Sequence, residues 1–298
     1  SLSLFTPSEF NNLPGMDFPA PKGHYPSKYE VADYFKQYVD KFDFPIQLNT
    51  LITKVEKEED YFVVTHKNGE IKTKGVVVGT GPFHIPYTPP CSENLSTQIF
   101  QTHSNYYKKP DQLQEGPALV VGAGDSGFQI LDEISRSGRK TYFSGDTSVK
   151  TLPQEILGKT LWWWFTKTGF LKISRDTWLG KRIMHGRQPV IGTDVKEILA
   201  RENVIPVGFT NDGQGEKLMT EKETLTDVKN VVWATGYRPD FSWIKGLELK
   251  KDGYPKNQRG VSPIKNLFFI GLPWLYTRGS ATLGGIKDDA AYLAGKIE

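Results

Sequence analysis

Residues 119–127 read Leu-Val-Val-Gly-Ala-Gly-Asp-Ser-Gly, an apolar strand running into Gly-x-Gly-x-x-Gly in the middle of the chain rather than near its start. This spacing constrains the fold because each glycine does a different job. Gly122 permits the tight strand-to-helix turn, Gly124 lets the backbone approach a pyrophosphate, and Gly127 lets the helix pack close on the strand. Similar passages flank it, Gly-Val-Val-Val-Gly-Thr-Gly-Pro at 75–82 and Asn-Val-Val-Trp-Ala-Thr-Gly-Tyr at 230–237. Each is a buried-type strand ending in Thr-Gly, but only the second unit has a glycine fingerprint at its head. The pattern predicts an α/β chain with two dinucleotide-binding units, the first lacking its opening βαβ.

The order of elements repeats. Val31, Tyr34, Phe35, Tyr38 and Val39 fall at helical spacing within Tyr29–Phe42. A strand over Pro45–Ile52 and a small antiparallel meander through Val55, Tyr61–Thr65 and Ile71–Thr73 follow, with Asn68-Gly69 as its tight turn. Val76–Val78 closes the first unit. In the second, Ala118–Val121 leads into a helix whose inner face is Gly127, Ile130, Leu131 and Ile134. Lys140–Ser144 is the next strand, and an aromatic insertion at 150–190 precedes a helix at Val195–Leu199. Val204–Phe209 and a second meander come next, with Asn211-Asp212-Gly213 as turn residues, before Val231–Ala234. Stepping the distance from Gly122 to Gly236 back from Gly81 ends about three dozen residues before Ser1. We therefore expect a missing start of about 40–50 residues, the size of a βαβ opening; a shorter protein with one nucleotide site is the alternative.

Composition narrows the function. The 37 basic and 34 acidic residues nearly balance, which argues against a nucleic-acid partner. No apolar run reaches the roughly 18–20 residues of a membrane span, and no leader pattern opens the chain. Cys91 is the single cysteine, so neither an internal disulfide nor a Cys-x-x-Cys redox pair is available, and a cytoplasmic location is expected. No metal-ligand cluster, hydrolase triad spacing or phosphate-loop lysine motif is present. His103, in a polar connector, reads as a structural hydrogen-bonding residue. Trp162-Trp163-Trp164 with Phe165 and Phe170 suits burial or a substrate pocket better than a membrane patch.

Coenzyme choice stays open in the sequence. Asp146 lies about 20 residues beyond the fingerprint, where a carboxylate accepts the ribose 2′-OH of NADH and repels a 2′-phosphate. It equally suits a solvated turn, and Lys150 suits a 2′-phosphate. Thr80-Gly81 and Thr235-Gly236 permit the chain to turn close to a cofactor. Arg278–Thr282 leads into a helix predicted over Ile286–Ile297, whose N-terminus would favour negative charge.

Taken in order, Leu-Phe-Thr-Pro near the start, Tyr-Pro-Ser-Lys-Tyr-Glu-Val-Ala-Asp-Tyr (25–34), Gly-Thr-Gly-Pro-Phe (79–83), Gln-Thr-His-Ser-Asn-Tyr-Tyr (101–107), Val-Val-Gly-Ala-Gly-Asp-Ser-Gly (120–127), Ala-Thr-Gly-Tyr-Arg-Pro-Asp (234–240) and the run 278–291 resemble flavin-containing monooxygenases. The chain is most similar to their short bacterial branch, the CzcO-like oxidoreductases. The resemblance implies a Rossmann-like FAD domain (1–94 and 237–298) carrying an inserted NAD(P)H-binding Rossmann domain (95–236). It implies an enzyme in which NADPH, or NADH, reduces FAD, and O2 then adds to give a C4a-peroxyflavin that oxygenates a small-molecule substrate. By match, Ile52, Thr80, Gly81, Ser280, Ala281 and Thr282 fall near FAD. Gly122, Gly124, Asp125, Ser126, Gly127, Asp146, Lys150, Thr235 and Gly236 fall near the nicotinamide coenzyme. A homodimer is compatible with the resemblance, and these 298 residues alone are expected to hold FAD poorly and to be inactive. The sequence departs from the family pattern at Phe5, at Thr97 and Ile99, and in lacking an arginine around Ser144–Asp146. The competing class is a slow flavoprotein redox sensor or accessory protein linked to cation transport.

Overall fold

Alternation along five short strands builds the larger sheet. The computed structural model describes residues 3–186 and 188–297, and the chain divides into two compact units. One unit comprises 85–154 and 187–237. Its parallel sheet runs Val204–Gly208, Thr141–Ser144, Ala118–Val121, Asn230–Trp233, Phe100–His103. Ala118 and Val120 point to the face covered by the helix Asp125–Arg136, through Phe128, Leu131 and Ile134. Leu119 and Val121 point to the other face, where Leu218 and Leu225 of the meander Thr210–Gln214, Lys217–Thr220, Thr224–Leu225 close the core. A strand buried on both faces must be apolar throughout, which explains Leu-Val-Val and Asn-Val-Val-Trp. The chain leaves Ala118–Val121 toward one edge and returns to its other side at Asn230–Trp233. That reversal of strand order is where open α/β sheets bind ligands, at the carboxyl ends of the strands.

The other unit comprises 1–84, 155–186 and 238–298. Its meander is Ile52–Glu58, Tyr61–His66, Gly69–Thr73, and Val76–Val78 pairs in parallel with Leu267–Phe269. Val55, Phe62, Val78, Phe241, Leu267 and Phe269 form its core. The helix Lys28–Phe42 starts at a capping box in which Ser27 and Glu30 satisfy each other's backbone N–H groups. Tyr34 is its one buried residue, and its hydroxyl donates to Met16 O and accepts from Leu13 N, pinning the irregular cover.

Three local expectations change. Residues 45–51 form no strand; all but the half-buried Thr50 are exposed, with Asn49 at φ 55°, and the strand begins at Ile52. Asn211-Asp212-Gly213 lies inside the strand Thr210–Gln214, because a register shift there carries the turn on to Gly215 (φ 58°). The C-terminal helix ends at Ala294 rather than Ile297.

The aromatic stretch Glu155–Gly186 packs with residues 1–84 and 238–298 rather than within 95–236. Trp162 Nε1 donates to Phe5 O (2.7 Å), and its ring stacks on Phe5. Ser174 bridges Thr277, Arg278 N donates to Ile173 O (3.1 Å), and Gly279 N donates to Leu171 O (2.9 Å). Trp162 is buried while Trp163 and Trp164 are half-buried, so the triplet divides between core and surface.

Gly127 fixes the spacing of helix and strand: a Cβ there would sit 1.9 Å from the Gly122 carbonyl oxygen. Gly127→Ala should therefore cost about 3 kcal/mol or more, read as a lowered midpoint in denaturant unfolding. A change within about 0.5 kcal/mol would contradict this packing.

Candidate functional site

The carboxyl ends of four neighbouring strands are tied into one rim. Gly122 N donates to Ser144 O (2.8 Å), Ala234 N to Val121 O (2.7 Å), and Gly145 N to Gly208 O (3.1 Å). Above it opens a cleft of about 450 Å³ lined by Gly122, Ala123, Ser144, Gly145, Asp146, Thr235 and, among others, Gln188, Phe209 and Thr210. Gly122 (φ 123°) has no room for a side chain, since a Cβ would meet Ala234 O at 2.2 Å. Gly124 differs: a Cβ there would meet nothing within 4 Å. Packing within the chain therefore does not explain this glycine. The helix Asp125–Arg136 starts here with no side-chain cap, although Asp125 puts one carboxylate in its first turn.

The other residues expected on this unit take distinct places. Ser126 is exposed in the first turn of the helix. Asp125 is exposed by area, yet its carboxylate accepts from Ile191 N (3.2 Å), and the surrounding protein raises its pKa by desolvation, partly offset by that bond. Asp146 lines the cleft and also closes an Asx turn, its Oδ1 accepting from Ser148 N (2.8 Å) and Ser148 Oγ (2.6 Å). Lys150 is exposed and does not line the cleft. Thr235 lines it while its hydroxyl donates to Tyr87 O. Gly236 (φ 79°) accepts from Tyr87 N (2.9 Å).

His103 completes this rim as a structural residue. Nδ1 accepts from Asn105 N (3.1 Å), which puts the proton on Nε2, and Nε2 donates to Gly236 O (3.0 Å). The ring lies edge-on to Tyr237, and burial pushes the imidazole pKa down. Sequence reasoning missed Gln188, Phe209 and Thr210. Phe209 was read as the last strand residue; the strand ends at Gly208, which leaves the Phe209 ring 50% exposed.

In the other unit, Thr80-Gly81 leaves the carboxyl end of Val76–Val78, with Gly81 at φ 71° and open space around it. His84 holds Thr80: Asp240 N donates to His84 Nδ1 (2.8 Å), and Nε2 donates to Thr80 Oγ1 (3.1 Å). Ile52 is half-buried at the start of its strand. Ser280 is fully buried, its Oγ accepting from Tyr276 N and Thr277 N. Ala281 is exposed, and Thr282 Oγ1 donates to Gly279 O (2.7 Å). The helix Ile286–Ala294 carries Asp288 and Asp289 in its first turn, so carboxylates already answer its positive end.

With this geometry in hand, the chain can be placed. Residues 4–155 match the family described as pyridine nucleotide-disulphide oxidoreductase, and the chain belongs to it. It is 43% identical over 298 residues to a protein of Geobacillus kaustophilus named uncharacterized oxidoreductase CzcO-like, covering 100% of this chain and 85% of that one. Two solved structures share the fold. A flavin-containing monooxygenase from Stenotrophomonas maltophilia superposes with TM-score 0.75 at 22% identity, covering 98% of this chain and 86% of that one. Cyclohexanone monooxygenase from Rhodococcus, bound to NADP+, gives 0.67 at 14%, covering 98% and 75%. The fold class and family expected from the sequence therefore hold. Disulphide chemistry through an internal cysteine pair is not open to these residues, since Cys91 stands alone, half-buried, with its thiol pKa raised by burial and by Asp212. Among the described residues no acidic, histidine or cysteine cluster suits a metal, and no helix is long and apolar enough to cross a membrane.

Because the native state holds His103 neutral, unfolding takes up a proton below its usual pKa near 6.5. Its contribution to stability is complete above that value and falls as pH drops from there toward the lower folded pKa. Between pH 7.5 and 5, the protein should lose more unfolding free energy than His103→Gln does over the same range. Equal losses would show that burial of His103 has no linkage to stability.

Proposed function

We propose that the chain is an FAD- and NAD(P)H-dependent oxidoreductase of the monooxygenase type, acting on a small molecule with O2. The unit of 85–154 and 187–237 takes the nicotinamide coenzyme, and the unit containing Thr80, Gly81, Ile52 and Ser280–Thr282 takes FAD. Gly124 carries this reading: it is a fingerprint glycine with open space where a side chain would stand, beside an uncapped helix amino end. A pyrophosphate fits that geometry by accepting from backbone N–H groups at the favourable end of the helix dipole. Thr235 would border the coenzyme from the facing strand, and the flat, half-exposed ring of Phe209 suits a purine.

Bound FAD supplies the hydride acceptor and the reduced ring that reacts with O2. The chain's part is to bind, orient and exclude water. His84 fixes Thr80 by donating to Oγ1, so the Thr80 hydroxyl proton is left to point away from His84, toward a cofactor acceptor. Gly81, with no side chain to interfere, lets the backbone come close. The stretch Glu155–Gly186, bonded to the loop just before Ser280, supports the reading that it shields the reaction from water.

Asp146 makes the coenzyme preference testable. Its carboxylate on the cleft wall repels a 2′-phosphate, yet the relatives of this fold include an enzyme bound to NADP+. We place NADPH slightly ahead of NADH. Asp146→Asn keeps an oxygen for the Ser148 turn and removes the charge. Titrated by coenzyme fluorescence, it should tighten NADPH relative to NADH about tenfold, or about 1.4 kcal/mol. An unchanged ratio would make Asp146 a turn residue only, and a folded protein that binds neither coenzyme would overturn the proposal.

A further inference from the structure

We propose that the outer face of Glu155–Gly186 docks on an anionic lipid bilayer, independently of the coenzyme cleft. The inner side of this stretch is occupied by Leu161 and Trp162, both buried, and by its bonds to Tyr276, Arg278 and Gly279. Other large apolar side chains of the stretch stand in solvent. Leu157 is 87% exposed, Trp178 73% and Leu179 44%. Large side chains left in water at this level, in one stretch, need a reason.

Charge says what covers them. Lys159, Lys167, Lys172, Arg175, Lys181 and Arg182 stand in this stretch against Glu155 and Asp176 alone, in a chain whose formal net charge is only +3. Arg175 is used internally, its Nη1 donating to Trp274 O (3.2 Å). Among the described residues, none of the other five cations has an ion-pair partner. Three of the five lie over aromatic rings: Arg182 lies 5.6 Å from the Trp178 ring centre, and Lys159 and Lys167 lie 5.9 and 5.7 Å from that of Trp163. In the helix Trp178–Met184 and its end, positions 178, 181, 182 and 185 share one face by their three- and four-residue spacing. With Gly186 they line an open depression of about 510 Å³.

That platform is rigid. Thr177 caps the helix through Gly180 N, and Gly180 has no room for a side chain, since a Cβ would meet Ser174 O at 2.0 Å. An exposed tryptophan and leucine beside cations without ion-pair partners match an interface where rings settle among headgroups and cations meet lipid phosphates. A neutral or basic protein surface would leave those charges unanswered.

Co-sedimentation of the protein with phosphatidylcholine vesicles, with and without phosphatidylglycerol, tests the proposal. Binding is expected only with phosphatidylglycerol, and it should weaken as salt is raised. The double change Lys181→Glu, Arg182→Glu should reduce binding about 25-fold or more, while Lys181→Arg with Arg182→Lys retains it. Trp178→Ala should weaken binding at unchanged charge. The proposal is overturned by absence of binding to phosphatidylglycerol vesicles at low salt, or by binding that the charge reversal leaves intact. A solution dimer dissociated by the same reversal would also overturn it, because a second copy would then cover this face.

Discussion

The contact between the Gly127 α-carbon and the Gly122 carbonyl is the constraint around which the unit of 85–154 and 187–237 is organised. Neither position tolerates a side chain, so the helix amino end is drawn onto the edge of the sheet where the strand order reverses. Hydrogen bonds from Gly122, Gly145 and Ala234 to neighbouring strands then hold that rim in one geometry. A preorganised rim matters because ordering a loop at the moment of binding would consume part of the affinity. Gly124 is the one fingerprint position the fold leaves vacant, and that vacancy separates a binding role from a packing role.

The other unit depends on a different device. Its parallel pair Val76–Val78 and Leu267–Phe269 ends in turns of its own, at Thr80-Gly81 and at Gly271 (φ 74°). His84 works through its tautomer: a backbone donor at Nδ1 leaves Nε2 as the donor to Thr80. The same logic governs His103, where Asn105 N–H and Gly236 C=O settle which nitrogen carries the proton. His103 thus acts as the structural hydrogen-bonding residue its sequence context suggested, and His84, which the sequence did not single out, orients a hydroxyl.

What was legible in the sequence followed from local stereochemistry. The glycine spacing, the doubly buried strands and the helix faces each carry a strict steric or hydrophobic period, and the family followed from their order. Asp146 was placed beside the cleft by its distance from the fingerprint, while its Asx turn depended on Ser148, two residues on. Less was legible where the outcome rested on contacts distant in sequence. The aromatic stretch 155–186 joins residues 1–84 and 238–298 because of bonds to Phe5 and to 276–279, which no periodicity encodes. Residues 45–51 carry strand-like apolar residues but find no ladder partner, and Phe209 and Gln188 reach the cleft only because the sheet folds as it does.

Hydrogen–deuterium exchange with and without NADPH tests the central claim most directly. If a pyrophosphate settles on the fingerprint, amides of 122–128 and of 144–146 should exchange more slowly with coenzyme present, because the open helix end and the facing rim become covered. Coenzyme that binds without slowing exchange in 122–128, or that protects a different region alone, would contradict the account.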